Sequence, residues 1–148
     1  MKEFKSIGKL VSVLYRLNQS YIKKELREYN LGPGQFQILQ LLFKKEYVRQ
    51  IDLAEMLEID KTSMTRTISK LEASGYVRRE KDNEDYRAYT VSLTPKANKI
   101  KSEIIPILKN WTHIVLEGFT DDEQEQFISC LIKAAANAKK EVKGDNND

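Results

Sequence analysis

Thiol and imidazole are almost absent from this chain, which has one cysteine and one histidine in 148 residues. A lone cysteine excludes an intramolecular disulfide and the multi-cysteine zinc patterns, and it fits a reducing compartment, so the cytoplasm is the expected location. A lone histidine cannot fill a histidine-rich metal shell. There is no glycine-rich phosphate loop and no supported Ser-His or Cys-His pair, and the carboxylates are spread along solvated faces. No enzyme, metal or cofactor is expected. Long apolar runs are missing too. Gly8, Lys9, Ser12 and Arg16 interrupt the N-terminal segment, so neither a signal peptide nor a membrane span is expected there. Internal repeats and low-complexity segments are absent. The charge excess is small, +3 with an isoelectric point near 8.8, which permits nucleic-acid binding without arguing for it. Any such argument must come from where the charges stand.

What is present is enough for one globular chain, 1–148, with 41% hydrophobic residues to form its core. Its organising stretch is Ile51 to Thr94. Ile51–Leu57 reads as a short helix, Glu58–Asp60 as a turn, and Lys61–Ser74 as a second helix with Met64, Ile68 and Leu71 on one side. This is a helix-turn-helix pattern. Gly75 suits the left-handed position past a helix end. Tyr76–Arg79 and the alternating Tyr89–Leu93 then read as two strands around a polar tip, Lys81–Arg87, forming a wing. The predicted fold is mainly α with a small β-hairpin wing.

Around that core, apolar residues keep helical spacing from Phe4 to Tyr29 in a stripe wide enough for burial on more than one side. Pro33 starts a second, core helix to about Lys44. Tyr47 and Val48 suit a short strand, and Arg49 stands where a capping Ser or Thr would be wanted. Thr94-Pro95 opens a long helix to about Glu117, with a kink expected at Pro106. Thr120-Asp-Asp-Glu123 is a capping box for a last helix. Residues 143–148 read as a disordered tail.

The helix face opposite Met64, Ile68 and Leu71 carries Thr62, Arg66 and Ser69, flanked by Ser63, Thr65 and Lys70, and is nearly free of acid. Small hydroxyl side chains let a helix sit deep in a major groove, and Arg66 is long enough to pair with guanine O6 and N7. In the wing, Arg87 suits a narrow, electronegative minor groove, and Asp85 is placed to orient its guanidinium. A charged turn kept soluble by mixed signs is an equally good account of the wing residues taken alone.

These residues resemble the multiple antibiotic resistance regulator (MarR) family. The most specific match is the wing signature Asp-x-Arg, five residues, Leu-Thr, which stands here as Asp85-Tyr-Arg-Ala-Tyr-Thr-Val-Ser-Leu-Thr94. Leu53-Ala54, Asp60–Arg66 and Leu71–Val77 are also similar. Tyr86 replaces a frequent second Arg of the wing, and Lys96 and Ala97 replace a frequent Glu and Gly. The resemblance implies a winged-helix lobe at 33–94, dimerisation helices at 1–30 and 95–142, and a homodimer bound to a palindromic double-stranded DNA operator. It further implies helix four in the major groove, Arg87 in the minor groove, and repression relieved by a small phenolic or anionic ligand. Tyr15, Phe36 and Trp111 come from the helices that line the ligand pocket in that family, although dimer-core packing is the preferred account of each taken singly. Cys130, beside Ile128 and Leu131, is expected to be buried and inert. The alternative reading is a winged-helix module that binds protein instead of DNA.

Overall fold

The computed structural model describes residues 6–144. Phe4 and residues 145–148 of the expected tail lie outside them. The elements in chain order are α1 (Ile7–Glu25), α2 (Pro33–Leu42), β1 (Tyr47–Arg49), α3 (Gln50–Met56), α4 (Lys61–Ala73), β2 (Val77–Lys81), β3 (Tyr89–Leu93), α5 (Pro95–Val115) and α6 (Asp121–Gly144). The chain divides into two compact units, Met1–Trp111 and Thr112–Asp148.

In the first unit each boundary has a local cause. Ser6 caps α1, its hydroxyl accepting the Lys9 N–H at 3.3 Å. The helix stops short of the expected Tyr29: Arg27–Tyr29 tightens to a 3-10 turn, closed by Asn30 in the left-handed region (φ 55). α2 begins at Pro33, with the Gly32 N–H held by Gln35 Oε1 at 2.6 Å. It ends two residues before Lys44, where Lys44 and Lys45 N–H donate to Leu41 and Leu42 O in a tighter turn and Lys101 Nζ donates to the Phe43 carbonyl at 3.0 Å. No side chain caps α3, as Arg49 at that position predicts. Its other end is a Schellman turn, in which Ile59 N–H donates to Ala54 O (3.0 Å) and Glu58 takes φ +53. Asp60 Oδ1 then accepts the Ser63 N–H at 2.8 Å and starts α4. The Ser63 hydroxyl, and then its backbone N–H, hold the Asp60 carboxyl below its ordinary range.

The three strands form one antiparallel sheet in the order β1-β3-β2, with Val48 opposite Val91 and Val77 opposite Leu93. Beneath it lies the core, where Leu26, Ile38, Leu39, Leu42, Leu53, Met64, Ile68, Leu71, Val91 and Ile104 are fully buried. Each such side chain contributes up to ~1.5–3 kcal/mol of transfer free energy. The three apolar positions that mark one side of α4 in the sequence, Met64, Ile68 and Leu71, are all among them.

α4 and α5 meet in a tight joint. Gly75 ends α4 with φ +78 and its carbonyl accepts the Thr94 hydroxyl at 2.5 Å, while the same hydroxyl oxygen accepts the Ala97 N–H at 3.4 Å and caps α5. Lys96 Nζ donates to Ser74 O at 2.7 Å and lies over the Tyr76 ring. The Tyr76 hydroxyl in turn donates to Tyr29 O. The turn after α1 is bound to α5 by a hydrogen bond of 2.9 Å from the Tyr29 hydroxyl to Glu103, which, with burial, pushes the Tyr29 phenol up to about 12. Tyr21 adds a ring contact with Trp111 at 5.2 Å. α5 continues through Pro106 as one helix.

In the second unit, the Thr120–Glu123 capping box forms in both directions, at 3.1 and 3.2 Å. α6 runs to Gly144, so residues 143 and 144 are helical where a tail was expected. None of its residues is buried, and Cys130 is therefore exposed, contrary to its expected burial. His113 is exposed as well. Among the described residues no helix is long and apolar enough to cross a membrane.

Candidate nucleic-acid interface

Burial of Met64, Ile68 and Leu71 turns the opposite face of α4 outward, leaving Thr62, Arg66, Ser69 and Lys70 exposed and Ser63 and Thr65 half-buried. The two hydroxyls on the shoulders differ in what they can still do. Thr65 Oγ1 donates to Lys61 O and accepts from Gln50 Nε2, both at 2.9 Å, so it locks α4 against the start of α3. Its capacity is spent internally. The Ser63 hydroxyl donates to the Asp60 carboxylate, beside its own backbone N–H that serves the same cap, so it retains acceptor capacity only. Gln50 Oε1 is buried without a partner among the described residues.

Arginines sort into two groups. Arg49 pairs with Asp82 and Glu84, Arg78 with Glu80, and Arg79 with Glu72. Among the described residues Arg66 and Arg87 have no carboxylate partner, so that within the helix-turn-helix and wing two guanidiniums, one on α4 and one on the wing loop, are available to an external anion. Beside Arg87 a cleft of about 540 Å³ is lined by Gln50, Ile51, Ala54, Lys61, Arg87 and Tyr89, and Arg66 is not part of its wall. Its walls are α3, α4 and the wing.

The wing turn is built differently from the expectation. Asp85 Oδ1 accepts the backbone N–H of Arg87 at 3.0 Å, and Asp85 O accepts the Ala88 N–H at 2.9 Å, but no ion pair joins the Asp85 carboxylate to the Arg87 guanidinium. Asp85 therefore shapes the backbone that carries Arg87 and leaves the guanidinium itself untethered. At the base of the same loop stands Asp82, the one buried charged residue described. It accepts the Glu84 N–H at 2.8 Å, its own N–H donates to Ala88 O at 3.0 Å, and its other oxygen meets Arg49 Nε at 2.8 Å. Arg49, in the sequence only a poor helix cap, is the residue that ties the wing to the helix-turn-helix.

The three aromatics expected around a ligand are not gathered into one cavity. Phe36 is buried in the core at 2% exposure, Trp111 is half-buried against Tyr21, and Tyr15 is exposed. None of them lines the cleft described above.

Comparison with known proteins fits this geometry. The MarR family pattern matches residues 31–89, from the end of the first connection to the start of β3. A MarR transcriptional regulator from Methanosarcina mazei Go1 is 36% identical in sequence and superposes with a TM-score of 0.86 over 90% of this chain and 96% of its own. The HTH-type transcriptional regulator BilQ of Clostridioides difficile is 27% identical over 129 residues, 87% of each chain. A mutant MarR from E. coli, complexed with operator DNA, shares the fold at 20% identity and a TM-score of 0.78 over 86% of this chain and 92% of its own. These relatives are transcriptional regulators and not enzymes, and the chain belongs to the MarR family.

Proposed function

We propose that this regulator works as a homodimer that reads a palindromic double-stranded DNA operator in the cytoplasm, repressing transcription by occupying it. The observation that carries this reading is the exposed face of α4, where Thr62, Arg66, Ser69 and Lys70 stand together and Arg66 has no internal carboxylate to satisfy it. In this reading Arg66 takes a base edge, Ser69 and Lys70 take phosphates, Arg87 enters the minor groove from the wing, and Ser63, whose hydroxyl the Asp60 carboxylate holds, fixes the start of α4 at the DNA. Thr65 and Asp85 serve as supports. The likeness to a regulator complexed with operator DNA agrees with it. No large apolar residue is exposed on α4, which is what a protein-binding face would need.

The dimer is supported by apolar rows left open on two helices. α1 exposes Leu10, Val11, Leu14 and Leu17, and α6 exposes Ile128, Leu131 and Ile132, more than a lone chain of this size leaves uncovered without use. A small phenolic or anionic effector that relieves repression belongs to the same reading, with the exposed Tyr15 and half-buried Trp111 offering accessible aromatic surface.

Selection of duplexes from a random library by the purified chain tests the proposal. An inverted repeat with half-sites about one turn, roughly 34 Å, apart is expected. Arg66→Ala should then cost roughly 1–3 kcal/mol and relax preference at one position of each half-site, whereas Lys70→Ala should weaken all sequences alike. Unchanged affinity in both variants would remove α4 from the interface.

A further inference from the structure

We infer that a second cationic cleft, made by Lys23 and Arg27 at the end of α1 together with Lys70 of α4, holds phosphates of the DNA flanking the operator; this rests on the DNA-reading proposal above. The cleft has a volume of about 510 Å³. Three cations line it, the amides of Asn30 and Gln35 stand beside them, and no carboxylate does, although the chain has 22 acidic residues. Among the described residues none of the three cations makes an ion pair, in contrast to Arg49, Arg78 and Arg79.

Lys70 joins this cleft to the reading face. It follows Arg66 by four residues, so the two side chains stand on the same side of α4, about 6 Å apart along its axis. A DNA strand whose base edge meets Arg66 carries a phosphate every ~3.4 Å of axis, and its backbone therefore continues past Lys70. Beyond Lys70 the next cations are Lys23 and Arg27, four residues apart at the end of α1 and both exposed. Gln35 Oε1 is occupied by the Gly32 N–H, which leaves the amide nitrogen as the donor that faces outward. Cations and neutral amides in line, without an acid, are what a phosphate backbone requires, and the occupant has to be continuous with whatever lies on α4.

The test uses the purified full chain and its selected duplex at two lengths, the selected core alone and the core extended by about ten base pairs, roughly one turn, at each end. The wild type should bind the long duplex several-fold more tightly than the short one. The Lys23→Ala/Arg27→Ala variant should lose that advantage while binding the short duplex as before, and its salt slope on the long duplex should flatten by about 0.9 for each phosphate no longer neutralised. Both substitutions are at exposed positions, and circular dichroism checks that the fold is kept. Equal weakening on both duplexes, or none on either, overturns the flanking cleft while leaving α4 as the reader. Failure of the wild type to select any duplex overturns the DNA-reading proposal and the cleft with it.

Discussion

Arg49 Nε stands 2.8 Å from Asp82 Oδ2, so the residue that precedes α3 is joined to the first residue of the wing loop. The Glu84 N–H, and then the Arg49 guanidinium, hold the Asp82 carboxyl below its ordinary value of 3.8 against the opposing effect of burial. A carboxyl with a lowered folded-state pKa gives stability that is present above the unfolded pKa and lost as pH falls through the folded one. The melting temperature should therefore fall on acidification below about pH 3.8, and the acid limb of Asp82→Asn should be shallower than that of the wild type. At neutral pH, Arg49→Ala should speed amide exchange at Glu84 and Ala88, with Arg49→Lys between it and the wild type. A wing as well protected in Arg49→Ala as in the wild type would show that the ion pair is ornamental.

The bond from the Arg87 N–H to Asp85 Oδ1 predicts a difference between two substitutions usually treated alike. Asp85→Asn keeps an acceptor oxygen and removes a charge that repels phosphate, so DNA binding should be equal to the wild type or tighter. Asp85→Ala removes the acceptor and should bind more weakly than Asp85→Asn, and Arg87→Ala should be weakest of all. Equal affinities for the Asn and Ala variants in a fluorescence anisotropy titration would mean that the turn needs no side-chain support.

Gly75 takes φ +78 at the end of α4. A Cβ there would meet only the Lys96 side chain, Cδ at 3.6 Å and Nζ at 4.0 Å, both ordinary contacts, so the cost of Gly75→Ala is that of the backbone conformation, about 1–2 kcal/mol. Thermal or denaturant unfolding measures it. A destabilisation far larger than this would point to displacement of Lys96, whose ammonium holds the Ser74 carbonyl.

The open row on α1 sets the expectation for assembly. Leu14→Lys places a cation among Leu10, Val11 and Leu17, all of them exposed in the single chain, so the fold of the protomer should survive while the dimer dissociates. Sedimentation of the wild type at micromolar concentration should give the dimer mass and the variant the monomer mass. A variant that stays dimeric would place the interface elsewhere.

Local features of this chain are legible in its sequence, and interactions between distant segments are not. The caps at Asp60, Thr94 and Thr120 each join residues three apart, and all three form. The burial of Met64, Ile68 and Leu71 follows from helical period alone. By contrast, the Arg49–Asp82 pair and the Thr65–Gln50 bond cross between elements, and no spacing announces them. The sequence marks Asp85 and Arg87 as partners, but spacing cannot say whether the carboxylate meets the guanidinium or the backbone N–H; here it is the backbone. Cys130 departs from expectation because cysteine's usual burial does not apply to a helix that buries nothing within this chain.

The order β1-β3-β2 leaves two strand edges open, and neither is an inviting template. β1 is three residues long, too short to align a fourth strand firmly, and two lysines and a glutamate lead into it. Along β2, Arg78, Glu80 and Lys81 are exposed, and a neighbouring strand of unmatched charge would have to bury them. Lengthening the sheet from one copy to the next is thus disfavoured, and the wing is protected from aggregating through its edges even when many copies crowd onto one stretch of DNA.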